Sequence, residues 1–230
     1  MQELLESLLE QGIPRQQAEL MARYGERVVQ ANEKFNLTRI LSPADMAKSH
    51  FIDSIDVARR GYIDARAQII DIGTGAGFPG VPLAIFLPQA QVTVMDSSEK
   101  KTDFIRESCA ALDIAIQVVC GRSEELARDA KYFQKFDVAV ARAVARLNVL
   151  LELCAPYVKN NGVFLAYKGS SAEEEVREAE TAAKKLGMEL VEVAAAGPQD
   201  TNHVVVIYRR VADTPATLPR KYAKIKKAPL

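Results

Sequence analysis

Gln68-Ile69-Ile70-Asp71-Ile72-Gly73-Thr74-Gly75-Ala76-Gly77-Phe78-Pro79-Gly80 is the stretch that decides the reading of this chain. An apolar run ends in a glycine-rich turn, and a helix is expected to follow. Glycines in such a turn permit positive φ and let the backbone approach a ligand with no Cβ in the way. The helix then presents unpaired N–H groups to whatever sits in the turn. Two patterns overlap here. Read from Gly75, the string fits G-x-G-x-x-G, the dinucleotide fingerprint. Read from Asp71, it is D-x-G-x-G-x-G, the form that S-adenosylmethionine (SAM) enzymes use. A second strand, Val92-Thr93-Val94-Met95, ends on Asp96, 25 residues after Asp71. A carboxylate at that place accepts both ribose hydroxyls of an adenosine, which SAM and NAD share. A strand-to-helix turn with no ligand is the structural alternative.

On the C-terminal side of the loop, short apolar runs alternate with amphipathic segments. Strands are expected over 68–72, 91–95, 115–120, 137–141, 162–167, 188–194 and 203–209, and helices near 79–87, 98–112, 122–130, 143–158 and 171–186. That alternation implies an α/β fold, a Rossmann-like sheet of about seven mostly parallel strands with helices on both faces. Only the loop from Ala195 to Asn202 separates the last two strands. It is too short for a crossover helix and makes an antiparallel hairpin. Six parallel strands with one late antiparallel strand is the arrangement of SAM-dependent methyltransferases, and an NAD-binding domain has no need of the hairpin. The topology therefore favours SAM.

On the N-terminal side, residues 1–60 read as a helical extension. Leu4, Leu5, Leu8 and Leu9 share a face, and Pro14 opens a second helix reaching about Asn36. Ser42-Pro43 starts a third, which Gly61 ends. Residues 61–210 then form the SAM-binding domain, and 211–230 a basic tail. Seven basic residues against one acidic from Arg209 onward place +6 on the last 22 residues and −6 on the remainder of a chain of zero net charge. Such a tail suits contact with a phosphate backbone; a solvated terminus is the plain alternative.

The 230 residues are 48% hydrophobic and 26% charged, which suits one globular domain with extensions. No apolar run approaches the ~18 residues of a membrane helix, and the acidic, amphipathic start MQELLESLLEQ differs from a secretion signal. Cys109, Cys120 and Cys154 are scattered, with no CxxC pair. That excludes a disulfide framework and a cysteine zinc site, and a cytoplasmic protein with no metal and no membrane attachment is expected.

The strand ends narrow the chemistry, because open α/β sheets bind their ligands there. The (D/N)-P-P-(Y/F) motif of exocyclic-amine methylation is absent after the fourth strand, which reads Asp137-Val138-Ala139-Val140-Ala141-Arg142-Ala143. None of the cysteines has an activating neighbour in sequence, so covalent attack on a pyrimidine is not supported. Arg142 and, after the fifth strand, Lys168 remain as cations at the ligand-facing edge. They suit a phosphate-rich acceptor or a guanine, whose Hoogsteen edge offers O6 and N7; for Arg142 a structural salt bridge is the alternative. Guanine N7 attacks through a lone pair that carries no proton, so no general base is needed. His50, Asp53 and Ser54 share a helical face, either as a structural cluster or facing the cofactor.

With these residues assembled, the sequence resembles the RsmG (GidB) family of bacterial small-subunit ribosomal RNA methyltransferases. The markers run through Asn36-Leu37-Thr38-Arg39-Ile40, His50-Phe51-Ile52-Asp53-Ser54, the glycine loop to Pro82, Asp96-Ser97 with Lys100-Lys101, Gly121-Arg122-Ser123-Glu124, Ala141 to Ala145 and Tyr167-Lys168-Gly169. The resemblance implies methyl transfer from SAM to N7 of a guanine in 16S rRNA, with the rRNA or the small ribosomal subunit as partner; a monomer is expected. It implies that Gly73, Gly75, Phe78, Asp96, Ser123, Glu124 and Arg142 bind the cofactor. It also makes Arg142, Arg122 and Lys168 the candidate catalytic residues. For Ser123-Glu124 the residues alone equally suit a helix N-cap. The tail departs from the family's P-R-x-P-G-x-P-x-K-x-P, continuing from Pro219-Arg220-Lys221 as Tyr222-Ala223-Lys224-Ile225-Lys226-Lys227, and Asn202-His203 stands where an Arg-His or Arg-Asn pair is expected. The other readings are an NAD-dependent oxidoreductase, from the overlapping glycine pattern, and a ribosome-associated RNA-binding protein without catalysis.

Overall fold

The computed structural model describes residues 2–197 and 202–230. Seven strands form one sheet in the order β3-β2-β1-β4-β5-β7-β6. They are β1 (Gln68–Ile72), β2 (Gln91–Asp96), β3 (Gln117–Cys120), β4 (Phe136–Arg142), β5 (Val158–Lys168), β6 (Met188–Ala195) and β7 (Val204–Arg210). Strands β1 to β5 pair in parallel, whereas β7 runs antiparallel to both β5 and β6. The chain therefore carries the single reversed strand that the short β6–β7 connection implies; residues 198–201 of that loop lie outside the described residues.

The central strands are buried on both faces, as β1 and β4 show in their near-continuous apolar runs. One apolar cluster lies under the N-terminal helices and joins Leu4, Leu8, Tyr24, Phe51 and Ile55 to Ile69 and Val140 of the sheet and to Val81 just after the glycine loop. A second, on the opposite face, joins Ile70, Ile72 and Ala139 to Leu150, Cys154, Ala179 and Ile225. The N-terminal segment is thus packed onto the sheet through the same core that carries the glycine loop.

Its helices are α1 (Gln2–Glu10), α2 (Arg15–Phe35), α3 (Pro43–Asp45) and α4 (Asp53–Arg59), the last two joined by a π-helical stretch, Met46–Ile52. Asn36 closes α2 in the left-handed conformation, φ 49°, and Ser42 caps α3 by accepting from the Asp45 N–H. In the π-helical stretch the Asp53 N–H reaches back five residues to the Lys48 carbonyl, and the Ser54 hydroxyl donates to the His50 carbonyl. π-Bulges of this kind cluster at functional sites, and here the bulge carries His50.

The remaining helices are α5 (Gly80–Phe86), α6 (Glu99–Ala111), α7 (Ser123–Leu126), α8 (Leu147–Cys154), α9 (Ala172–Lys185) and α10 (Tyr222–Lys227). Three differ from the sequence expectation. Helix α8 spans only Leu147–Cys154 of the expected 143–158, with a 3-10 turn at Ala155–Tyr157 after it. Helix α7 stops after four residues rather than running to 130; the chain continues in turns, one of them closed by the Asp129 carboxylate accepting the Lys131 N–H. Helix α10 lies in the tail, where no element was expected; Ile225 is fully buried beneath it.

Candidate active site

The glycine loop links the C-terminal end of β1 to α5. Gly73 and Gly75 have φ of 73° and 61°, conformations that side chains with a Cβ rarely adopt. A Cβ on Gly73 would stand 2.6 Å from Val144, whereas one on Gly75 would project into open space. That space is a cradle which only a residue without a side chain leaves free. Buried Asp71 ties the loop together. Its Oδ2 accepts from the Thr74 hydroxyl at 2.5 Å and from the Gly80 N–H at 2.8 Å, while Oδ1 has no partner. Burial pushes this carboxyl up to about 7, against the lowering pull of the Thr74 and Gly80 donors.

Asp96 at the end of β2 accepts the Gly75 N–H at 3.0 Å and the Ser98 N–H at 2.9 Å. It borders a cavity of about 290 Å³ whose other walls include Arg122, Ser123, Glu124, Leu153 and Tyr222. The Ser123 hydroxyl donates to the Leu153 carbonyl rather than capping α7, and Glu124 is buried at the rim. Arg122 lies over the Tyr222 ring, 5.8 Å from its centroid.

A second cavity of about 820 Å³ opens beyond the loop and shares Gly73, Lys101, Ala143 and Val144 with the first. Arg142, Lys168, Phe78, His50, Asp53 and His203 line it. Arg142 donates from Nη1 to Asp53 Oδ2 and to the Ser49 carbonyl, both at 2.8 Å, and lies 5.6 Å from the Phe78 ring centroid. His50 stacks on the same ring at 4.5 Å. A guanidinium only donates, so the Arg142 Nη2 contact at 3.4 Å makes His50 Nδ1 an acceptor, and Nε2–H then donates to Thr38 Oγ1 at 2.8 Å. Burial, helped by Arg142, lowers the His50 imidazole to about 4, so it is neutral near pH 7. His203 donates from Nδ1 to the other Asp53 oxygen at 2.9 Å. Lys168 is matched at once by Glu175, 2.7 Å away, and donates to the Ala145 carbonyl.

The candidate residues thus fall into two groups. Gly73, Asp96, Arg122, Ser123 and Glu124 surround the smaller cavity; Gly75, Phe78, Arg142 and Lys168 face the larger one. The reading of the sequence missed Tyr24, whose hydroxyl donates to the Ala76 carbonyl from beneath the loop, and Tyr222 in the tail. It also missed the anchor for Arg142, although the shared face of His50 and Asp53 was the available signal. Ala143 holds φ 57° at the ridge between the cavities, an unfavourable conformation for a residue with a Cβ.

The open space at Gly75 and the carboxylate beside it fit SAM. The glycine cradle suits the methionyl part, and the Asp96 carboxylate suits a ribose. Among the described residues no cluster suited to a metal ion occurs, and no helix is long and apolar enough to cross a membrane.

Sheet order, reversed strand and glycine cradle together define a SAM-dependent methyltransferase. Solved structures agree on the fold: a SAM-dependent methyltransferase from Aquifex aeolicus superposes with a TM-score of 0.57 at 17% identity, over 74% of this chain and 94% of that one. A fibrillarin/Nop5p complex matches with a TM-score of 0.54 at 12% identity, over 70% and 83%. Within that class the family is more specific. Residues 17–205 match the family described as "GidB: rRNA small subunit methyltransferase G". A "Ribosomal RNA small subunit methyltransferase G" from Alkaliphilus oremlandii is 40% identical over 91% of this chain and 89% of its own length, and one from Clostridium botulinum (strain Alaska E43) is 37% identical over 95% and 92%. The chain belongs to the rRNA small subunit methyltransferase G family. Membership decides against the oxidoreductase reading of the glycine loop.

Proposed function

We propose that this protein transfers a methyl group from SAM to N7 of a guanine in the 16S rRNA of the small ribosomal subunit, acting as a monomer in the cytoplasm. The observation that carries the choice of N7 is the state of the bases in the larger cavity. Among the described residues, each carboxylate and imidazole lining it is already engaged: Asp53 by Arg142 and His203, Glu175 by Lys168, and His50 by Thr38 and Arg142. A reaction that had to remove a proton from its acceptor would be poorly served there. Guanine N7 offers a bare lone pair and asks only for alignment, which is worth up to ~7–11 kcal/mol when near-attack geometry is held.

When bound, SAM supplies an electrophilic methyl group. Gly73 and Gly75 would hold its methionyl part, Asp96 its ribose, and Ser123 and Glu124 would border its adenine. Arg142 keeps donors to spare after meeting Asp53, and its guanidinium suits guanine O6 beside the attacking nitrogen. Phe78 and His50 form a stacked pair that gives the acceptor base a flat wall. A cysteine adduct finds no support: burial pushes the thiols of Cys109 and Cys154 up, Cys109 to about 12, and neither lines either cavity.

Outside the cavities, the exposed cations Arg209 of β7 and Lys221, Lys224, Lys226 and Lys227 of the tail suit the RNA backbone. The test is transfer of labelled methyl from SAM to small subunits from a strain lacking the gene. Label recovered as 7-methylguanosine at one 16S site supports the reading. SAM binding without any label on subunits or on protein-free 16S rRNA overturns the substrate.

A further inference from the structure

The tail does more in the fold than carry charge. Arg220 is drawn onto Glu152, a fully buried carboxylate of α8. Its backbone N–H and Nε reach Oε1 at 2.8 and 2.9 Å, and Nη2 reaches Oε2 at 2.6 Å. Arg128 donates to the Pro219 carbonyl at 2.7 Å, and Ile225 is fully buried against the sheet layer. These three attachments fix the chain on both sides of Tyr222. Arg122 lies over its ring, 5.8 Å from the centroid, and the ring lines the 290 Å³ cavity together with Asp96 and Leu153, the residue next to Glu152.

We infer that the docked tail completes the adenine subsite, with the Tyr222 ring as the surface on which the cofactor's base packs. The inference rests on the reading of the smaller cavity as the adenosine side of the SAM site. An aromatic face suits a purine whatever its edge groups, because stacking uses the π-surface. The placement is also rigid. Removing Arg220 would leave Glu152 as an unpaired buried charge, so the undocked tail is strongly disfavoured. Tyr222 is therefore a binding residue, and Glu152 and Arg220 position it.

The chain contains no tryptophan, which allows a direct reading. In full-length Tyr222→Trp, the sole indole should report the base: titration with S-adenosylhomocysteine should change its emission saturably, with the midpoint set by calorimetry. In parallel, Tyr222→Phe should bind S-adenosylhomocysteine as the wild type does, and Tyr222→Ala about tenfold more weakly, both measured well below the variant's own melting temperature. Unaltered indole emission at saturation, or wild-type affinity in Tyr222→Ala, would overturn the assignment while leaving the SAM site in place. Absence of binding to the wild type would overturn the site itself, and the subsite with it.

Discussion

Arg142, on the last residue of β4, and Asp53, on the first residue of α4, meet at 2.8 Å across 89 residues of sequence. The carboxylate is almost wholly buried, and its second oxygen goes to His203. The pair holds the guanidinium against Phe78 at the mouth of the larger cavity. Replacing Asp53 by Ala leaves a buried cation without its counter-charge, so stability should fall by about 3–5 kcal/mol, read as a lowered urea midpoint. Arg142→Lys keeps the charge but loses the planar fork. Its stability loss should be smaller, while single-turnover methyl transfer at saturating SAM falls at least tenfold. Wild-type turnover in Arg142→Lys would show that the guanidinium geometry is not used.

Gly73 and Gly75 should respond differently to alanine. At Gly73 the new methyl group collides with Val144 in a left-handed backbone, so both folding and SAM binding should suffer. At Gly75 the methyl group meets no protein atom. The cost to the free protein should then be only the ~1–2 kcal/mol of the left-handed conformation, while SAM affinity drops because the methyl group occupies the cradle. Calorimetric titration beside a thermal melt separates the two; a Gly75→Ala protein that binds SAM normally would refute the cradle.

His50 and Asp71 give opposite pH signatures. His50 titrates near 4 in the fold against 6.5 ordinarily, so the folded state binds fewer protons between those values. Its contribution is complete above pH 6.5 and is lost as pH falls toward 4. Asp71 titrates near 7 against 3.8, so it favours folding at low pH and penalises it as pH rises through that window. The two slopes offset one another in the wild type. His50→Phe should therefore gain stability relative to the wild type as pH falls from 6.5 to 4, and Asp71→Asn should gain relative to it as pH rises from 4 to 7. Parallel denaturation curves across pH for either variant would contradict the assignment.

The tail should divide by face. Arg220 points inward to Glu152, whereas Lys224, Lys226 and Lys227 are exposed. Replacing those three lysines by Gln should weaken binding to 16S rRNA and flatten its salt dependence, by up to ~0.9 in the slope for each phosphate no longer neutralised. Affinity for S-adenosylhomocysteine should stay untouched. Filter binding at several salt concentrations checks this; an unchanged salt slope would remove the tail from the RNA interface.

Much of this protein is local and therefore legible. Gly73 and Gly75 encode positive φ by lacking a Cβ, the apolar runs encode strands buried on both faces, and the short β6–β7 connection permits only a hairpin. These features need nothing beyond neighbouring residues, and they carry the fold class and the glycine loop. Lys168 shows where that stops. In the sequence it is a cation at the ligand-facing edge with no visible partner, yet Glu175 and the Ala145 carbonyl take it up in the fold. Helix α10 is similar. Six residues are too few for a helical period to show, and its order comes from burying Ile225 and from the pairing of Arg220 with Glu152, 68 residues away. By itself, then, the sequence determined the sheet, the loop and the family pattern, because backbone geometry and hydrophobic periodicity are written in consecutive residues. Only the tertiary structure decided which charges are matched, what holds Arg142, and that Tyr222 walls the smaller cavity. Those depend on pairings between segments far apart in the chain, and burial sets their strength.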